Sequence, residues 1–119
     1  MPMLTINTNV DLGTTDSKKI LMTKLTEVIA KGLGKPDSYV AIHLNDQQCM
    51  LWGGSDEPCA LCTVASLGAI NLKNNETISS DICTMLSGAP YGIKPDRTYI
   101  EFRDMPRENC GYNGKTFAK

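Results

Sequence analysis

Apolar residues in this chain follow two alternating periods. Leu21, Leu25, Val28 and Ile29 fall at i, i+4, i+7 and i+8, one face of a helix. Ile78, Ile82, Met85 and Leu86 repeat that spacing in the second half. Asp16 or Ser17 is placed to cap the first helix, and Gly32, Gly34 and Pro36 to close it. Asn75 or Thr77 is placed to cap the second, with Gly88 and Pro90 past its end. A strand is predicted ahead of each helix, over residues 3–10 and about 60–69. Another is predicted after each, over residues 39–44 and 98–103, where Tyr, Val, Ile and Phe favour extended backbone.

The two halves echo each other. Lys35-Pro36-Asp37 before one late strand recurs as Lys94-Pro95-Asp96 before the other. Each half therefore reads as a strand–helix–strand unit with parallel strands and a right-handed crossover. The fold class is α/β: a single domain over residues 1–119, with halves of about 2–58 and 59–119, forming a four-stranded mixed sheet with two helices on one face. Smaller pieces are a short strand around Met50-Leu51-Trp52, a turn at Gly53-Gly54-Ser55, and an Asn113-Gly114 pair suited to a type I′ hairpin. One feature of the pattern points outside the single chain. The stretch Ala60-Leu61-Cys62-Thr63-Val64-Ala65 is almost continuously apolar, as in a strand buried on both faces. Two helices cover only one face, so copies of the chain are expected to cover the other.

Composition narrows the function classes. The 119 residues carry 12 basic and 13 acidic side chains, a formal net charge of −1, scattered rather than clustered. A nucleic-acid binder would need a basic stripe. No apolar run approaches the roughly 18 residues of a membrane span, so no membrane insertion is expected. The start MPMLTINTNV has neither a basic segment nor a long apolar one, which predicts no secretory leader. Five cysteines, an odd number, argue for a reduced, cytoplasmic protein rather than a disulfide scaffold. The single histidine, His43, lies in an apolar stretch and reads as a hydrogen-bonded structural residue.

Candidate chemistry is sparse. Cys59-Ala60-Leu61-Cys62 is a C-x-x-C, but no second pair at zinc spacing accompanies it, so no metal site is expected. On a strand, positions i and i+3 face opposite ways with Cα atoms about 10 Å apart, too far for a disulfide. Buried structural cysteines are the better reading, with thiol–disulfide exchange as the alternative. The unusual residue is Pro2. A small second residue permits removal of the initiator methionine, which leaves proline with a free secondary amine at the head of a strand. An apolar pocket with a nearby lysine would lower such an amine from its ordinary value near 7.7–8.0 toward the range useful to a general base.

Four blocks then resemble the macrophage migration inhibitory factor family: MPMLTINTNV, GKPDSYVAIHLNDQQ, WGGSDEPCALCTVASLGAI and PDRTYIEFRDMPRENCGYNGKTFA. They run from Pro2 to Ala118 in the family's order and spacing. The resemblance implies a homotrimer with an active site at each subunit boundary. It implies keto–enol tautomerisation of phenylpyruvate-like acids and dopachrome-type compounds, without cofactor or metal. Pro2 matches the base, and Lys35 the lysine that binds the substrate carboxylate. Leu67 matches the position whose backbone N–H meets that carboxylate. Tyr39, Tyr112 and Phe117 match the aromatic and apolar wall, while Tyr99 and Glu101 match positions from the adjacent subunit. Three features depart from the family. Glu101 stands where asparagine is frequent, Tyr112 replaces a tryptophan, and Ala65 and Ala69 replace a histidine and a lysine. The family also implies secretion by a leaderless route and a cell-surface receptor as partner, although the loop at residues 11–15 lacks an arginine. The alternative from a different class is an extracellular signalling protein whose tautomerase pocket is vestigial.

Overall fold

In the computed structural model, which describes residues 1–118, the apolar stripes of both helices meet over one sheet. Strand β1 (Met3–Thr8) lies at its centre, parallel to β2 (Ala41–Asn45) and antiparallel to β3 (Ala60–Ser66). Strand β4 (Thr98–Asp104) lies parallel to β3, giving the order β2-β1-β3-β4. Helices α1 (Thr15–Leu33) and α2 (Leu72–Ser87) are the two crossovers. A short hairpin, β5 (Gly111–Tyr112) with β6 (Lys115–Thr116), turns through Asn113 and Gly114, both at positive φ as a type I′ turn requires. The four-stranded mixed sheet with two helices on one face is the expected architecture. Each Lys-Pro-Asp repeat opens a 3₁₀ turn, Asp37–Tyr39 or Pro95–Arg97, that delivers the chain into a strand.

The core lies between helices and sheet. Leu4 and Ile6 of β1 and Cys62 and Val64 of β3 face Leu21, Leu25 and Ile29 of α1 and Ile78, Ile82 and Leu86 of α2, all buried. Strand alternation turns the neighbouring residues outward. On that outer face Met3, Leu61 and Tyr99 are 39%, 47% and 66% exposed, and neither helix covers them.

Several local expectations shift, each for a visible reason. Thr14 caps α1, its hydroxyl accepting from the Ser17 N–H at 3.1 Å, so the helix starts before Asp16, which sits in its first turn. Asn71 caps α2 by accepting from the Asn74 N–H at 2.9 Å, ahead of Asn75 and Thr77. Gly34, at φ 67°, is the left-handed C-cap of α1. Gly32 instead lies inside the helix, where a Cβ would meet Ile78 Cγ1 at 2.4 Å. β1 ends at Thr8, whose buried hydroxyl accepts from the Val10 N–H and donates to the Cys59 carbonyl at 2.7 Å. β3 ends at Ser66 because Gly68 and Ala69 take positive φ. Tyr39 belongs to its 3₁₀ turn, so β2 begins two residues later. Around Met50-Leu51-Trp52 only a Trp52–Ser55 bridge forms. Arg97 holds that loop by donating to the carbonyls of Trp52, Ser55, Glu57 and Pro58. His43 is a further correction. Alternation with Ile42 and Leu44, which pack on the core, leaves it exposed on the outer face opposite Thr5, and its ring makes no hydrogen bond among the described residues.

Candidate functional site

The topology gathers four chain segments at one end of the sheet. β1 and β2 are parallel and both begin there, with Met3 beside Ala41. β3 is antiparallel to β1 and ends there, with Ala65 beside Met3. The chain returns to the same end after β4, through a 3₁₀ turn at Arg107–Asn109 and the terminal hairpin. Between these segments lies a cavity of about 280 Å³ lined by Met1, Lys35, Tyr39, Leu67, Arg107, Tyr112 and Phe117.

Pro2 stands behind Met1, fully buried, its carbonyl accepting from the Ala41 N–H at 3.1 Å. With Met1 in place the Pro2 nitrogen is an amide, and the basic nitrogen at the cavity is the Met1 amine. Burial, and then the Lys35 ammonium, hold that amine below its ordinary value, against a smaller opposing effect of Cys110. Lys35 follows the Gly34 cap, with its backbone N–H bonded to Ala30 O. Its Nζ donates to the Leu67 carbonyl at 3.0 Å. Tyr112 and Phe117 stack at 5.6 Å with an interplanar angle of 16°, a flat aromatic wall. The Phe117 N–H closes that wall by donating to Cys110 O at 3.2 Å.

Five of the residues singled out from sequence line this cavity, Lys35, Tyr39, Leu67, Tyr112 and Phe117, and Pro2 is buried next to Met1, which lines it too. Tyr99 and Glu101 lie on the outer face of β4, away from this cavity within the chain. Tyr99 stacks on Trp52 at 4.2 Å beside Leu51, Gly53 and Leu61. Glu101 is paired with Arg103 at 3.0 Å through both carboxylate oxygens, and this hydrogen bond holds its carboxyl below the usual range. The Glu101 charge therefore has a partner on its own strand. Arg107 was not foreseen as a lining residue. It opens the short 3₁₀ turn after β4, where neither period nor motif marks it.

The cysteine pair offers little for redox exchange. Cys59 and Cys62 are buried and free, and burial, helped by Cys83, pushes the Cys62 thiol up to about 12. Reactive thiols are shifted the other way. Among the described residues no three His, Cys, Asp or Glu side chains gather to hold a metal ion. Among the described residues no helix is long and apolar enough to cross a membrane. A shallower hollow of about 600 Å³ beside Gln48, Cys49 and Asp56 brings no cation to its lining.

Known proteins place this geometry. The macrophage migration inhibitory factor (MIF) family model matches residues 1–118. The macrophage migration inhibitory factor of Meriones unguiculatus is 42% identical over 118 residues, 99% of this chain and 100% of that protein. A homolog from Brugia malayi is 39% identical over the same shares. Among solved structures, the Trichinella spiralis protein superposes with a TM-score of 0.85 at 34% identity, covering 97% of this chain and 99% of its own. A homologue from Prochlorococcus marinus gives 0.87 at 32% identity, over 97% and 98%. Agreement over the whole length, in sequence and in backbone, leaves one assignment: the chain belongs to the macrophage migration inhibitory factor family.

Proposed function

We propose that this protein is a keto–enol tautomerase of the phenylpyruvate and L-dopachrome type, with the Pro2 amine, freed by removal of Met1, as its general base. The observation that carries the reading is the coincidence of one buried N-terminal segment, one lysine and one aromatic wall at a single cavity. Burial and Lys35 lower the Met1 amine, and the same two causes would act in the same direction on a Pro2 amine exposed at this cavity. A lowered pKa is what a general base working near neutral pH needs, and the proline ring would hold the nitrogen rigidly.

The chemistry follows from those parts. Lys35 holds the substrate carboxylate by a charge-assisted hydrogen bond, supported by the Leu67 backbone N–H. Tyr39, Tyr112 and Phe117 cover the apolar body. Pro2 nitrogen takes a proton from the carbon beside the carbonyl. The C–H electron pair becomes the enol double bond, the carbonyl π pair moves to oxygen, and the proton held on the Pro2 nitrogen is returned to that oxygen, which regenerates the neutral amine. No cofactor is needed. The open outer face with Leu61 and Tyr99 supports a homotrimer in which Tyr99 and Glu101 of a neighbouring subunit complete each site. The name of the relatives supports a second, compatible reading: a cytokine-like mediator, cytoplasmic and exported without a leader, that engages a cell-surface receptor. Receptor binding equal in wild type and Pro2→Gly would separate that role from catalysis.

The test compares protein with and without Met1, each confirmed by mass. Processed protein should tautomerise phenylpyruvate, with an essential base below the ordinary α-amino pKa. Protein retaining Met1 should be inactive, because an amide lone pair is delocalised into its carbonyl. Equal rates in the two preparations would mean that another group is the base.

A further inference from the structure

We propose that the cavity selects doubly acidic keto acids, with Arg107 binding a second carboxylate at the end of the substrate remote from Lys35. This rests on the tautomerase reading and names the substrate class of the same site.

The fates of the three arginines carry the argument. Arg97 donates to four loop carbonyls. Arg103 is spent on Glu101 in a two-point pair. The Arg107 side chain makes a single hydrogen bond among the described residues, from Nη1 to Phe117 O at 3.3 Å, which leaves four of the five guanidinium donors without a protein acceptor. It is also the one arginine that lines the cavity.

Within one chain the lining contains two cationic side chains, Lys35 and Arg107, and no acidic one; the Glu101 that a trimer would add from a neighbouring subunit already has Arg103 as its partner. Neither forms an ion pair among the described residues, where the salt bridges are Lys18–Asp46 and Arg103–Glu101. The two cations are anchored to different walls. Lys35 is tied to Leu67, just past the end of β3, and Arg107 to Phe117 in the terminal segment. The stacked rings of Tyr112 and Phe117 line the same cavity. A monoacid such as phenylpyruvate satisfies one cation and leaves the other facing its apolar end. A substrate with a carboxylate at both ends and a flat or short apolar body satisfies both, and the planar guanidinium fork suits a carboxylate bound through two oxygens.

The experiment uses two unreactive acids, 3-phenylpropanoate and 3-(4-carboxyphenyl)propanoate, titrated calorimetrically into Met1-processed wild type, Arg107→Ala and Arg107→Lys. Phenylpyruvate and its 4-carboxy derivative are assayed alongside. Because Arg107 is exposed, its charge is screened, and the ring carboxylate should tighten binding to wild type by about three- to tenfold. The ratio should shrink as salt is raised, fall to about one in Arg107→Ala, and survive in part in Arg107→Lys. The kcat/KM ratio of the two keto acids should follow the same order. A ratio unchanged by Arg107→Ala, or no preference in wild type, overturns the inference while phenylpyruvate turnover keeps the tautomerase reading. An Arg107-dependent preference without turnover has the opposite meaning: the diacid site stands and the proposed reaction fails. If neither acid binds, both are overturned.

Discussion

Replacing Gly32 with alanine sets two effects against each other, and the structure decides between them. In an exposed helix interior the change would stabilise by about 0.5–1 kcal/mol, because glycine loses more backbone freedom on folding. Gly32 is not such a site. The added Cβ would lie 2.4 Å from Ile78 Cγ1 and 2.9 Å from its Cδ1. Cγ1 is the stem of a β-branched side chain with one strongly preferred helical rotamer, and Ile78 is fully buried. It has nowhere to swing. Overpacking of this kind costs about 1–3 kcal/mol, so the net expectation is a loss of roughly 1–2 kcal/mol. The assay is guanidinium unfolding at fixed protein concentration, run as a double-mutant cycle with Ile78→Ala. Ile78→Ala alone should cost about 2–5 kcal/mol through the cavity it leaves. The Gly32→Ala methyl would partly fill that cavity, so the double variant should be no less stable than Ile78→Ala. Lys35, just beyond the end of α1, adds a functional readout: a displaced last turn should raise KM for the carboxylate substrate. A Gly32→Ala protein as stable as wild type, or more so, would refute the close helix–helix contact and this reasoning with it.

Two further outcomes are expected. Lys35→Ala should raise KM for phenylpyruvate about tenfold or more, as loss of a charge-assisted hydrogen bond predicts; unchanged kinetics in Met1-processed protein would remove Lys35 from the site. Asp46 accepts from the Leu12 N–H at 2.9 Å and from Lys18 Nζ at 3.0 Å, and the Leu12 bond first, then Lys18, holds its carboxyl below the ordinary range. A depressed folded-state pKa contributes stability above the unfolded value, near about 3.9, and loses it as pH falls through the folded one. Asp46→Asn should therefore be less stable than wild type at pH 7, with the deficit vanishing in acid. A deficit that persists unchanged at low pH would show that the charge is not its source.

How far the sequence carries is visible residue by residue. Leu21, Leu25 and Ile29, like Ile78 and Ile82, disclose their helices because burial on one face forces a period that local sequence displays. The Lys-Pro-Asp repeat discloses the two-fold chain path for the same reason: both copies open the same turn into a strand. Gly32 shows where such reading stops. Beside Gly34 and Pro36 it looks like part of a helix terminator, and only the partner helix shows that it makes room for Ile78. His43 is a miss of another kind, since apolar neighbours suggest burial while strand alternation decides the face. At the site, Pro2, Lys35, Tyr39, Leu67, Tyr112 and Phe117 were legible through family resemblance. Arg107 was not, because its place in the cavity arises from a chain reversal after β4 that no local pattern records.

The first residue and Phe117 line the same cavity, so the two ends of the described chain are spatial neighbours. This makes the molecule a natural subject for circular permutation. Joining the ends by a short linker and reopening the chain at Gly53-Gly54, exposed glycines whose Cβ positions meet nothing within 4 Å, would leave all four sheet strands and both helices intact. Such a rearranged protein would keep Pro2, Lys35 and the aromatic wall in place, yet its proline would be an internal residue with an acylated nitrogen. Folding and catalysis would then come apart in one molecule: every side chain of the site present, and the only missing ingredient a chain end.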